Sequence, residues 1–141
     1  MGYSLYWTYN KDSLSSKFSQ AFLSKAKKII EKARKAKIGF GDWEGNPITD
    51  DTIISDTNIR FNGIYPDSCE TFFLRPKAGA YNFDVCKTRG NPYGAICMAL
   101  LELALNQNII TEWSSDGGPE DITTREIYEK VYKQKEISNE D

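Results

Sequence analysis

Hydrophobic positions at strand and helix spacing predict the first elements of the chain. The segment YSLYWTY (residues 3–9) is rich in aromatic residues and has no glycine or proline, which predicts a strand. A helix is predicted next, with Asp12 or Ser13 as its N-cap, because a short side-chain oxygen can accept from the free amides. Gly39 is predicted to end it, since glycine tolerates the left-handed C′ conformation. Its buried stripe is predicted to be Leu14, Phe18, Phe22, Ala26, Ile29, Ile30 and Ala33.

Three further strands are predicted in the middle of the chain. NIRFNGI (58–64) and CETFFLR (69–75) flank the turn YPDS, and so short a connection favours a hairpin. YNFDVCK (81–87) is predicted to be a fourth strand. The acidic segment before the hairpin, residues 41–56, carries turn residues and is predicted to loop over the surface.

A central buried helix is predicted from residue 92. Asn91 as N-cap and Pro92 at N1 mark its start, because proline lacks the N–H that would be unpaired there. The run to about Asn106 is apolar on nearly every side, which is typical of a helix enclosed by other elements. IITEWS (109–114) follows as a strand or extended piece.

The elements together predict an α+β domain at residues 1–136. We expect a mainly antiparallel sheet of about four to five strands, packed against two to three helices. The last of these helices is indicated by a capping box of Thr123 and Glu126. The tail, residues 137–141, is expected to be frayed.

Charge is distributed unevenly along the chain. The formal net charge is −2, whereas residues 11–37 hold nine Lys and Arg against two acidic residues, a local charge of +7. The predicted basic helix 13–38 is either a solvated helix face, which is the commoner meaning of such a run, or a surface for phosphate or an acidic protein partner. The overall balance gives no support for sequence-specific nucleic-acid binding. Homo-oligomer formation is left open.

The chain has no histidine, which excludes Ser-His and Cys-His nucleophile pairs and histidine metal ligands. Cys69, Cys86 and Cys97 have no C-x-x-C spacing, so neither a disulfide framework nor a cysteine zinc site is predicted. We therefore expect no metal and no cofactor. The chain shows no signal-peptide pattern and no apolar run long enough to span a bilayer. These features predict a cytoplasmic protein, of a bacterium or an infected host cell, with no membrane partner.

The segment CKTRGNPYG (86–94) is the first candidate binding site. Lys87 and Arg89 bring positive charge, Thr88 a hydroxyl and Gly90 room for close approach, just before a helix N-terminus that favours anions. The alternative is an ordinary turn in which Asn91 caps the helix amides and the cations point into water.

Two other stretches could supply polar contacts to a ligand. Asn62 and Glu70 lie on opposite arms of the predicted hairpin, and an asparagine can recognise the edge of a base. Trp113 and Asp116 lie in WSSDGG, where the indole could stack on a ring. The alternatives are a turn-supporting Asn-Gly and a core tryptophan beside a polar loop.

The order of motifs MGYSLYW, FNG, CETF, CKT, PY and SSDG, from Met1 to Gly117, resembles a small uncharacterised family of bacterial, fungal and phage proteins. That family has no established activity, so the resemblance implies no particular reaction. The chain departs from it at Leu5 and Cys69, where the family has histidines, and at Gly94, where it has an acidic residue. The resemblance implies that the shared motif residues are Asn62, Glu70, Lys87, Thr88, Tyr93 and Asp116.

These observations lead to three hypotheses of function. The first is a small-molecule-binding protein that captures a phosphorylated, nucleotide-derived ligand. Lys87, Arg89 and the amides of Tyr93 and Gly94 would hold its phosphate, and in a phage setting it would sequester a host defence signal. The second is an enzyme acting on a similar ligand, with Glu70 or Asp116 as base and Lys87 as electrostatic stabiliser. The third is an inhibitor or adaptor that binds a protein through the basic helix.

Overall fold

The first strand forms the centre of an antiparallel three-stranded sheet. The structure, a computed structural model, describes residues 4–49 and 51–116. Strand β1 (Ser4–Tyr9) pairs with β4 (Phe83–Lys87) on one side and with β5 (Ile110–Ser115) on the other. Its alternation buries Leu5, Trp7 and Tyr9 on the inner face.

A second sheet is the antiparallel ribbon of β2 (Ile59–Phe61) and β3 (Phe72–Leu74). A short 3-10 helix, Asp51–Ile53, precedes it. The predicted antiparallel pairing is confirmed, with Phe61 opposite Phe72. The predicted short turn is wrong, because the strands end earlier and residues 62–71 form the connection. The antiparallel α+β class is confirmed too, and the described strands divide between two sheets.

Helix α2 (Pro92–Asn106) is the centre of the core, as predicted. Helix α1 (Gln20–Lys35) packs on one side of it and β5 on another. Aromatic contacts join the remaining elements, because the ring of Phe72 lies 5.3 Å from Trp7 and 5.4 Å from Phe61. Phe61 in turn meets Tyr93 of α2 edge-on at 6.3 Å. One continuous hydrophobic cluster therefore connects both sheets and both helices.

The predicted start of the first helix is wrong. Helix α1 begins at Gln20, and its N-cap is Ser19, whose hydroxyl accepts from the amide of Phe22 at 3.1 Å. The residues before Ser19 do not continue the helix, because the amide of Phe18 donates to the carbonyl of Asp56 at 2.7 Å. Leu14 consequently lies outside the helix and is 76% exposed, although the other stripe residues are buried.

The predicted end of that helix is also wrong. The helix ends at Lys35, and Lys37 takes the left-handed conformation with φ 69°. The amides of Lys37 and Ile38 donate to Arg34 and Ala33 at 3.0 Å each, the pair of bonds of a Schellman motif. Gly39 follows this motif, and its backbone lies against the end of the Ile64 side chain.

None of the helices in the described part is long and apolar enough to cross a membrane. The helix predicted from Thr123 and the tail at 137–141 lie outside the described residues.

Leu100→Ala should lower the free energy of unfolding by about 2–5 kcal/mol, because Leu100 is fully buried at the centre of α2. Leu14→Ala is the matched control, and it should cost less than about 0.5 kcal/mol at its exposed position. Urea denaturation measures both. Equal effects at the two leucines would contradict the central place of α2.

Candidate functional site

The β4–α2 junction, residues 87–94, is a tight turn between the edge of the sheet and the central helix. The amide of Asn91 donates to the carbonyl of Thr88 at 3.0 Å. Both residues between them have positive φ, 60° at Arg89 and 73° at Gly90, as a type I′ turn requires. Glycine adopts this conformation readily and arginine rarely does, so the turn holds Arg89 in an uncommon conformation.

Asn91 occupies the N-cap position of α2, but its side chain makes no capping hydrogen bond. The side-chain amide instead donates to the carbonyl of Ser68 at 3.4 Å. The amide of Gly94, which was expected to hold a phosphate, donates to the backbone carbonyl of Asn91 at 2.8 Å. The alternative in which the Asn91 side chain caps the helix amides is therefore wrong. Asn91 anchors the loop before β3 to the start of α2.

Lys87 and Arg89 are both exposed at this junction. Among the described residues, neither side chain forms an ion pair or a hydrogen bond. Thr88 between them is buried and packs against Gly94, where an added Cβ would lie 2.8 Å from the threonine hydroxyl oxygen. The turn thus presents two cations to solvent and directs the hydroxyl side chain toward the helix.

Glu70 lies alongside the end of β4 and forms two hydrogen bonds with the backbone of Lys87. Its amide donates to the carbonyl of Lys87 at 3.0 Å, and its carboxylate Oε1 accepts from the amide of Lys87 at 2.8 Å. The side chain therefore satisfies an edge amide that would otherwise face water.

The hydroxyl of Tyr93 connects the three segments of this site. It donates to the carbonyl of Glu70 at 2.6 Å and lies 3.3 Å from the carbonyl of Lys87. The residue is buried, and burial raises the pKa of the phenol. The hydroxyl stays protonated across the physiological range and acts as a fixed donor.

Asn62 is buried, and its side chain is saturated with hydrogen bonds. Its Oδ1 accepts from the amides of Gly63 at 2.7 Å and Cys69 at 3.0 Å. Its Nδ2 donates to the carbonyl of Cys69 at 3.0 Å and to the hydroxyl of Thr71 at 3.4 Å. An amide that makes four bonds to its own loop has no donor or acceptor left for a base.

Asp116 and Trp113 occupy different places. Asp116 follows β5, which lies on the side of β1 away from β4. Its carboxylate Oδ1 accepts from the amide of Ser4 at 2.6 Å. Trp113 stands opposite Trp7 in the sheet, and its indole N–H donates to Glu102 of α2 at 2.9 Å. The structure therefore groups Asn62, Glu70, Lys87, Thr88, Arg89 and Tyr93, brings Asp116 to the same end of the sheet, and separates Trp113.

One residue of this site and the packing role of another were not predicted from the sequence. Ser68 accepts the Asn91 side chain, and Gly94 leaves the space that Thr88 fills. A glycine in the first turn of an otherwise apolar helix was the signal for the second, because glycine weakens a helix and needs a packing reason there. The bond to Ser68 had no signal, since it joins positions 23 residues apart.

Two of the three thiols, Cys86 and Cys97, are poor nucleophiles. Cys86 is buried, and burial raises its pKa to about 12. Cys97 is fully buried, and burial raises its pKa well above the usual value. Both stay protonated near neutral pH, and all three cysteines are free thiols. Within residues 4–49 and 51–116, no group of three or more Cys, Asp or Glu side chains could hold a metal.

In comparisons with protein-family models, curated proteins and solved structures, the chain has no match. The family resemblance carried by its motifs therefore stays a prediction.

Tyr93→Phe should destabilise the protein by about 1–3 kcal/mol, because it removes the hydroxyl that bonds the carbonyls of Glu70 and Lys87 and adds no new contact. Tyr81→Phe is the matched control, since Tyr81 is 73% exposed. Chemical denaturation of both variants measures the difference. A loss no larger than that of the control would mean that the hydroxyl does not hold the junction together.

Proposed function

We propose that the protein binds a small phosphorylated molecule at the β4–α2 junction and holds it without chemical change. The observation that supports this proposal is the combination of Lys87 and Arg89, without described partners, at a helix start that the Asn91 side chain does not cap. A helix N-terminus favours negative charge, and adjacent cations strengthen that preference.

Binding is favoured over catalysis because the candidate acids and bases already have structural partners. The Glu70 carboxylate accepts from Lys87, and the Asp116 carboxylate accepts from Ser4 and from the Tyr6 hydroxyl at 3.3 Å. The two carboxylates therefore lie on opposite sides of the paired residues Ser4 and Lys87. With no histidine in the chain and with protonated buried thiols, capture of a ligand is the better supported role.

The junction accounts for the anionic part of a ligand and not for a base. Asn62 was the candidate for base recognition, and its bonding groups are used within the protein. The proposal at this site is therefore capture of a phosphoryl group. The ligand we propose is nucleotide-derived and is held by its phosphate, with no base contact assigned. In a phage setting, its capture would sequester a host defence signal.

Lys87→Ala should weaken the binding of a phosphorylated ligand by about 1.5–3 kcal/mol, roughly 10- to 150-fold in Kd, because it removes a charge-assisted hydrogen bond. Titration calorimetry with a panel of nucleotides and inorganic phosphate, at two salt concentrations, measures this loss, and affinity for the parent protein should fall as salt rises. Lys77→Ala removes an exposed lysine away from the junction and is the control. Equal binding by Lys87→Ala and the parent, or no binding to the parent, would refute the proposal.

A second candidate function is supported by the charge of α1. The helix carries six cations against Glu31, and two of them, Lys27 and Lys35, are exposed. Such a helix suits an acidic protein partner. This function needs no small-molecule site.

The double charge reversal Lys27→Glu and Lys35→Glu should abolish binding of an acidic polypeptide, because it replaces attraction by repulsion at two exposed positions. Poly-glutamate is a suitable probe, with binding measured by anisotropy at low and physiological salt. The control is Lys11→Glu with Lys77→Glu, which changes the net charge equally outside α1. Equal loss in both double variants would show an effect of net charge alone.

A further inference from the structure

A cavity of about 740 Å³ lies between the outward face of the β2–β3 ribbon and the loop 41–49. The ribbon turns alternate side chains inward, among them Phe61 and Phe72, and leaves Arg60, Thr71 and Phe73 on the cavity side. The buried Phe61 also borders the cavity. The volume falls within the range typical of sites for small organic ligands.

Hydrogen bonds fix the loop that forms the other wall. Gly41 and Asn62 exchange two backbone bonds of 2.8 Å, which attach the loop to the ribbon. The carboxylate Oδ1 of Asp42 accepts from the amides of Glu44 and Asn46 at 2.9 Å each. Asp42 faces the cavity, but this oxygen is used in holding the turn. The wall is therefore preorganised rather than shaped by a ligand.

The loop presents Trp43 at the cavity with 76% of its surface exposed. An indole is costly to leave in water and is the best side chain for stacking on a planar ring. Phe73 provides a second aromatic surface in the same cavity, and the guanidinium of Arg75 lies 4.9 Å from its centroid. Two aromatic side chains thus line one open, fixed space.

Arg60 supplies charge at the same place. It stands opposite Phe73 in the ribbon and is exposed, and within the described residues its guanidinium has no ion pair or hydrogen bond. A guanidinium offers a planar set of donors that matches a carboxylate or a phosphate. Lys87, Arg89 and Asn91 do not line the cavity, so this site is separate from the β4–α2 junction.

We propose that this cavity is a binding site for a planar aromatic ligand that carries one anionic group. The ring stacks on Trp43 above the surface of Phe73, and Arg60 pairs with the phosphate or carboxylate. A nucleoside monophosphate and an aromatic carboxylate share this chemistry, and the choice of probes separates them. The proposal does not rest on phosphate capture at the junction.

The test uses adenosine monophosphate, adenosine and indole-3-carboxylate as probes, with affinity measured by titration calorimetry. Trp43→Ala should weaken the ring-bearing anion that binds by roughly 5- to 150-fold, the range typical of a lost stacking contact. Arg60→Gln should weaken that anion roughly tenfold or more and leave adenosine unaffected, because adenosine has no charge. Tyr81→Ala and Lys11→Gln are the matched controls, since both residues are exposed outside the cavity.

Tryptophan fluorescence gives a second readout that locates the ligand. Trp7 is buried and Trp113 is half-buried, so acrylamide quenching reports mainly on Trp43. A bound probe should reduce quenching in the parent, and this protection should be absent in Trp43→Ala. The proposal is overturned if none of the probes binds the parent, if Trp43→Ala binds as tightly as Tyr81→Ala, or if a bound probe leaves quenching of Trp43 unchanged.

Discussion

A helix that is apolar on every side must be enclosed on every side, and α2 imposes this requirement on the described fold. Ten of its fifteen residues are buried. The three-stranded sheet and α1 cover two sides, and the β2–β3 ribbon reaches it through Phe61 and Tyr93. Its two ends approach solvent, at the half-buried Asn91 and Pro92 and at the exposed Asn106. Because the middle of α2 is buried, a ligand in solution can contact this helix only near its ends.

The sequence predicted those elements whose hydrophobic pattern agrees with local signals. Helix α2 was predicted within these bounds because Asn91-Pro92 marks a start that few other conformations share. The start of α1 failed since Asp12, Ser13 and Ser19 are all good caps, and long-range bonds decide among them. The amide of Phe18 pairs with Asp56, which removes the preceding residues from the helix without disturbing the apolar spacing.

The candidate site was predictable in its position and less so in its roles. The motifs indicated five of the residues that the structure groups, and the basic turn indicated the sixth, Arg89. A spacing cannot show, however, that Asn62 makes its four hydrogen bonds to its own loop. The same limit explains why the sequence did not indicate Trp43 or Arg60 as binding residues. Their importance comes from the register of a ribbon and the closure of a loop, and neither is encoded in neighbouring residues.

The close approach of Thr88 to Gly94 has a consequence for how such sequences diverge. A side chain at position 94 would overlap the Thr88 hydroxyl, so any residue other than glycine there requires the Thr88 side chain to move. An acidic residue at 94 would also place a carboxylate of the protein itself in the first turn of α2. In this chain, Gly94 adds no negative charge to the first turn of α2.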